Sequence, residues 1–451
     1  MTDLFDLTVT GDIVQPGGNV LKNGWLGILD GRLAAVGSAP LQGREHYDAT
    51  GHLVLPGFVD AHVHTRSNLE EGITASTRSA AAGGTTTLID MPFDRPSRPV
   101  RTVESLEEKI ADVGREAIID VALWATFPPH GGLDQIAPMA AAGACGFKVS
   151  TVHVDADRFP RVPDGQLYEA FQVIAGTGRP VAAHQENQDI VDHEAARIRA
   201  LRSPIPLDHA RSRPAVAETE ATARLLELAL ATGARLHIVH GTVPRTFDLV
   251  NWNRTQGVDA TAETCVQYLL LNDSAFERLG SRAKCNPPLR SEEARKGLWA
   301  QLADGRIDIV TSDHSPYPPS LKDKDDVFDA YAGLSGAETF GILLYSEGVA
   351  AGRLTLGRFV EATASGPAAI YGLAGKGRLE QGLDADFVVI DPHAQWTLDE
   401  RKLLCPSGWS AYEGREINGR VRATYVRGHC VYDGSSVVGE AGNGRFVQPK
   451  T

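Results

Sequence analysis

At 451 residues, with 42% apolar and 22% charged side chains, the chain has globular composition and room for one large barrel plus an accessory domain, or two to three ordinary domains. A net charge of −13 argues against nucleic acid as a partner, and nothing approaches the roughly 18 consecutive apolar residues of a membrane span. Cys145, Cys265, Cys285, Cys405 and Cys430 are widely spaced without a C-x-x-C pair, so neither a disulfide framework nor a thiolate zinc site is indicated. The opening MTDLFDLTVTGDIV lacks a basic region followed by an apolar core, and a reducing cytoplasm is the expected compartment.

Residues 1–55 read as short strands and turns: Leu7–Val9, Ile13–Val14, Trp25–Leu29, then Leu33–Val36 after the hairpin signal Asp30-Gly31. Residues 371–451 answer in the same style, with strands at Ala385–Ile390, Arg422–Val426 and Cys430–Tyr432. From 56 to 370, apolar strand candidates alternate with helical patterns. The candidates are Ile118–Leu123, Gly146–Val149, Pro180–Ala183, Leu236–Val239, Val258–Ala260 and Ile307–Thr311; Glu218–Leu230, with Leu225, Leu226 and Leu228, is a helical example. Such alternation predicts an α/β fold, a (β/α)8 TIM-like barrel flanked by a small β-sandwich domain built from both chain ends.

Leu55–Met91 is the segment around which the barrel is organised. A Pro-Gly turn leads into Phe58-Val59-Asp60 and then His62-Val63-His64, and residues two apart on a strand share a face, so both imidazoles project together. A small-residue helix, Ala75 to Ala82, ends at Gly83-Gly84, and the β-branched run Thr85–Met91 makes the next strand. The C-terminal ends of barrel strands are where such folds keep their chemistry.

Lys148, His184, His240 and Asp313 also fall at predicted strand ends. Neutral imidazoles and a carboxylate suit Zn²⁺ or a similar ion, and these residues could hold two ions if something bridges them. Lys148 ends an apolar strand in the same register; burial would lower its pKa and leave an amine able to add CO₂, giving a carbamate with two oxygens for bridging. The plainer alternative is a salt-bridging lysine.

Taken together, D-A-H-V-H, G-F-K, H-x-E-N, His240 and S-D-H resemble the cyclic-amide branch of the amidohydrolase superfamily, which contains allantoinases, hydantoinases, dihydropyrimidinases and dihydroorotases. The likeness extends to the terminal G-R-L-E-Q-G-L-D-A-D-F-V-V-I-D. It implies two divalent metal ions, zinc by default, with His62, His64 and Asp313 on one, His184 and His240 on the other, and N6-carboxylated Lys148 between them. It implies a homotetramer and a small cyclic ureide or imide substrate. Two cations would supply hydroxide near neutrality, and Asp313 would carry its proton to the leaving nitrogen. A metal-free, non-enzymatic scaffold is the alternative from another class.

Several segments are most similar to allantoinases: Ala283–Arg290, Asp304–Asp308 with Ser312–Pro319, Ser212–Ala215 with Glu218 and Glu220, and the glycine-bounded Gly333–Glu338. The resemblance implies that backbone groups near Asn286 and Gly336 read the ring, whereas the Asn286 side chain is equally explained as a turn residue. Asp164–Phe171 and His184–Asn187 are closer to hydantoinases, and Thr65–Leu69 departs from the Glu-Pro-Gly usual in allantoinases and dihydroorotases. Arg66 lies where dihydroorotase clamps a carboxylate, but the partner asparagine is replaced by Phe93, which suggests an apolar wall and leaves Arg66 an ordinary ion-pairing role. His153, five residues past Lys148, stands where hydantoinases place a tyrosine that donates to the oxyanion, or else in a solvent-facing loop. His314 is a candidate to support Asp313 from behind, His237 points opposite to His240 on its strand, and His46, His52, His130, His193, His209, His393 and His429 have no partners at ligand spacing. Lys322–Asp326 reads as a solvated charged loop.

Overall fold

The computed structural model describes residues 4–68, 70–155 and 158–450. The N-terminal stretch forms β1 (Phe5–Val14), β2 (Val20–Leu29), β3 (Arg32–Gly37) and β4 (Gly43–Pro56). The next strands are β5 (Phe58–Val63), β6 (Thr85–Asp90), a small hairpin of β7 (Phe93–Asp94) and β8 (Arg98–Pro99), and β9 (Asp120–Leu123). Then come β10 (Phe147–Ser150), β11 (Val181–His184), β12 (Leu236–Ile238), β13 (Ala260–Cys265) and β14 (Ile309–Thr311). The chain closes with β15 (Phe387–Thr397), β16 (Glu416–Val426) and β17 (His429–Tyr432).

Both chain ends meet in one seven-stranded sheet ordered β17-β16-β15-β4-β1-β2-β3. The junction is the antiparallel pairing of β15 with β4, where Val389 faces Val54. Alternate residues of these strands bury Val9, Ile13, Leu26, Phe387 and Val389 in a core of their own.

The central strands are all parallel, in a three-stranded set β5-β6-β9 and a five-stranded set β10-β11-β12-β13-β14. Parallel bridges join the two sets at both edges, Ala125 with Phe147 and Val63 with His314. Every residue of β5, β6 and β9 through β12 is buried, as befits parallel strands covered on both faces. Helices fill the crossovers. Gly72–Ala82 packs through small residues, and Gly83 ends it where a Cβ would lie 2.4 Å from the Glu338 carbonyl oxygen. Val103–Glu116 starts from a capping box of Thr102 and Ser105. Ala215–Thr232 buries Leu225 and Leu226 and stops at left-handed Gly233.

Two differences from expectation have local causes. The strand expected at Val258–Ala260 lies at Ala260–Cys265, because its sequence ATAETC carries a buried glutamate and threonines that an apolar-run criterion passes over. The final residues leave the sheet: the Val121 amide donates to the Arg445 carbonyl and the Val447 amide to the Val121 carbonyl, so this tail satisfies backbone groups beside β9. Lys376, buried among Asp120, Asp384 and Asp386, pins the same junction.

Candidate active site

Strands β5, β10 and β11 and the turns that follow β5, β12 and β14 bring His62, His64, Lys148, His184, His240 and Asp313 around one inner pocket. His62 Nε2 lies 3.3 Å and His64 Nε2 3.6 Å from Asp313 Oδ1, and Lys148 Nζ lies 3.5 Å from His62 Nε2. Ligand atoms of His62, His64 and Asp313 fall within 4.8 Å of one another. The His184 and His240 rings are 4.6 Å apart, and those of His62 and His240 5.3 Å apart. Asp313 and His240 both occupy the left-handed region, at φ +46° and +40°, a backbone cost of about 1–3 kcal/mol each that the surroundings hold in place.

Burial sets the protonation states. It lowers His62 to about 4, with the Lys148 charge adding to the effect, and holds His64, His184 and His240 below the usual histidine value. Neutral imidazoles at neutral pH are the ligating form. His240 Nδ1 is buried without a hydrogen-bond partner among the described residues. Burial also brings Lys148 down to about 8 against the opposing pull of Glu263 and Asp313, so far more of the amine is unprotonated near neutrality than for a solvent-exposed lysine, though the protonated form still predominates. Asp313 is pushed well above the carboxylate range by burial, which Lys148 only partly offsets.

Behind these groups stands a layer of carboxylates that strand-end reasoning missed. Glu263, fully buried on β13, accepts from His62 Nδ1 at 2.5 Å, His237 Nε2 at 3.2 Å and the His240 amide at 3.2 Å. Burial alone would raise it, but His62 and His237 hold it well below the usual range. Glu186 meets His184 Nε2 at 2.8 Å and pairs with Arg213, which with His184 outweighs burial and keeps it at about 2. Asp60 accepts the Ser312 amide at 3.0 Å, tying β5 to the turn that carries Asp313. An acidic residue inside an otherwise strand-like run, as in TAETC, was the available signal for Glu263. His237 is the second imidazole on Glu263.

His314 is held in a defined tautomer, with partners other than the Asp313 side chain. Its Nδ1 accepts the Gly336 and Ala337 amides at 3.0 and 3.2 Å, so Nε2 carries the proton donated to Glu71 at 2.6 Å, and its carbonyl accepts the His64 amide at 2.9 Å. This also relocates Gly336. Its amide is spent on His314 and its carbonyl on the Thr339 and Phe340 amides, and the loop presents Ala332 and Gly333 to the pocket instead.

Phe93 forms an apolar wall, stacked on Phe159 with ring centroids 3.7 Å apart. Asn286 lines both the inner pocket and an outer cavity of about 480 Å³, and its Oδ1 is buried without a hydrogen-bond partner among the described residues. Arg66 does not line the pocket: its guanidinium is bound by Asp112 at 2.7 Å, Glu116 at 3.1 Å and Asp94 at 3.6 Å. His153 is exposed on the wall of the outer cavity, its Nδ1 accepting the Arg161 amide at 3.3 Å, and is not among the residues lining the inner pocket. The Lys322–Asp326 loop is solvated only in part. Lys322 is fully buried and its ammonium donates to the carbonyls of Lys284, Tyr331 and Gly333 at 2.7–2.9 Å, three acceptors that no surface position would offer together.

The sequence pattern of the amidohydrolase family matches residues 53–431. The chain belongs to that family. This amidohydrolase is 41% identical to the allantoinase of Rubrobacter xylanophilus over 99% of its own length and 98% of that enzyme's. It is 36% identical to the Deinococcus radiodurans allantoinase over 99% of each chain. Among solved structures it is similar to the L-hydantoinase (dihydropyrimidinase) from Arthrobacter aurescens, with TM-score 0.95 and 33% identity over 99% of this chain and all of that one. The dihydropyrimidinase of Brevibacillus agri superposes with TM-score 0.90 at 27% identity over 99% of this chain and 98% of that one.

Proposed function

We propose that this amidohydrolase opens the cyclic amide of a ureide ring, converting allantoin to allantoate, and uses two divalent metal ions to do so. The observation that carries the metal reading is the convergence of His62, His64, Lys148, His184, His240 and Asp313 on one pocket, with neutral imidazoles and a lysine brought to about 8. The donor set fits: His62, His64 and Asp313 would hold one ion, His184 and His240 the other, and Lys148 as a carbamate would face both. Zinc is the ordinary choice for histidine-rich ligation. The edge bridges at Ala125 and Val63 support a closed (β/α)8 barrel, and the seven-stranded sheet supports the expected sandwich domain. No helix among the described residues is long and apolar enough to cross a membrane. Family resemblance favours a homotetramer, and the widely spaced, unpaired cysteines favour a reducing cytoplasm.

Bound by His62, His64, Lys148, His184, His240 and Asp313, the two cations would supply a water of lowered pKa and polarisation of the ring carbonyl. The chain's own groups do the rest. Asp313 accepts the proton of the attacking water and returns it to the ring nitrogen as the amide bond breaks. Glu263 and Glu186 hold His62 and His184 by their far nitrogens, fixing ring orientation. Phe93 and Phe159 keep one wall dry.

Full-length identity to allantoinases supports allantoin as substrate, while the L-hydantoinase superposition favours a second reading, a 5-substituted hydantoin or dihydropyrimidine. A panel of allantoin, hydantoin, 5-substituted hydantoins of both hands, dihydrouracil and dihydroorotate on metal-replete protein tests it. Allantoin is expected to lead in kcat/KM by tenfold or more, a gap of about 1.4 kcal/mol in transition-state binding. A hydantoin in first place overturns the substrate assignment and leaves the chemistry standing.

A further inference from the structure

Val154, Arg158, Asn286, Tyr317 and Ala332 line both the inner pocket and the outer cavity, so the two spaces adjoin along a shared wall. The charges around the outer cavity are mostly committed. Arg213 pairs with Glu186, Arg199 reaches Asp326 at 3.5 Å, and Lys284 donates to the Val327 and Phe328 carbonyls. Arg158 is ion-paired as well, its Nε 3.5 Å from Asp155 Oδ2, but of these cations it is the one that lines both spaces. It is buried, its Nη1 donates to the Phe93 carbonyl at 2.6 Å, and its Nε makes no hydrogen bond among the described residues. Across the shared wall, Asn286 contributes the opposite deficiency, a buried amide oxygen that lacks a donor.

A guanidinium with spare N–H groups and an amide oxygen with spare lone pairs complement a group that carries both a carbonyl and N–H donors. An aryl or alkyl arm would leave both unpaired and desolvated. We infer that the passage between the two spaces is a subsite for a polar ureido arm at C5 of the ring, with Arg158 as its specificity-determining donor. The inference rests on the proposed allantoin reading and deepens it, because allantoin differs from hydantoin by just such an arm.

The test compares the metal-replete wild-type chain with Arg158→Met, which keeps the aliphatic stem, and Arg158→Lys, which keeps a charged donor. Allantoin and hydantoin are assayed side by side, with thermal unfolding as the folding control. For Arg158→Met, kcat/KM for allantoin is expected to fall at least tenfold further than that for hydantoin, with KM for allantoin raised, and Arg158→Lys should recover part of the difference. Equal losses on both substrates would mean that Arg158 merely braces the Phe93 loop, and no loss on either would mean that it does not touch the arm; each result overturns the inference while the allantoin reading stands. A wild-type chain that opens hydantoin but not allantoin overturns that reading and this inference with it.

Discussion

Glu263→Gln isolates the role of the tertiary scaffold in metal binding. The carboxylate is fully buried and accepts from two imidazoles and one backbone amide. Glutamine keeps the shape but offers one acceptor oxygen and places N–H donors at the other position. With Oε1 retained toward His62, the new N–H opposes the proton on His237 Nε2; in the opposite orientation it opposes His62 Nδ1 and drives the proton to Nε2, the atom nearest Asp313. Loss of such a partner typically weakens metal affinity 10- to 100-fold, about 1.4–2.7 kcal/mol. Breaking hydrogen bonds to a buried charge adds a stability loss on the order of 1–3 kcal/mol. Zinc affinity measured against a competing chelator should fall by that factor, and excess zinc should restore part of kcat. A variant that binds zinc within twofold of wild type and unfolds at the same temperature would refute the reasoning.

Asp313→Asn should keep the fold and most of the metal yet lose about 10²–10⁴-fold in kcat, since the amide cannot shuttle the proton; turnover within tenfold of wild type would remove Asp313 from that role. Lys322→Met strands the carbonyls of Lys284, Tyr331 and Gly333, and thermal unfolding should report a loss of about 2–4 kcal/mol together with lower kcat/KM, because Gly333 lines the pocket. An unchanged midpoint would show that the loop is held otherwise. Glu338 is raised to about 7 by burial, against hydrogen bonds from the Leu404 amide and Ser79. A carboxyl raised on folding binds its proton more tightly in the folded state, so its penalty is absent below about pH 4.5, grows through the interval up to 7 and is complete above it. Glu338→Gln should therefore be more stable than wild type at pH 8 by up to about 3 kcal/mol, with the difference vanishing near pH 4 in denaturant titrations; a constant difference across that range would contradict the assignment.

The strand-end residues were legible because their signal is local. An apolar run, a terminal histidine or lysine and a small-residue helix can each be read within ten positions, and the two-residue period alone puts His62 and His64 on one face. Phe93 as an apolar wall was legible for the same reason, its residue type being the message. Arg66 was ambiguous because its partners Asp112 and Glu116 lie on a helix nearly fifty positions away, and an arginine's role is set by whichever carboxylate it reaches. Lys322 looked solvated because it sits in a charged run; only the folded loop shows three carbonyls closing on its ammonium.

By itself, then, the sequence determined the alternation of strands and helices, the residue types at the strand ends and the chemistry those types can support. The tertiary structure decided which residues hold them. Glu263 reaches His62 across 201 positions, and His314 joins Glu71 to the Gly336 loop across 243 and 22. Periodicity carries information only along one element, whereas the partner of a buried polar group is fixed by how distant elements pack. A buried group must find its hydrogen bond wherever the fold supplies one.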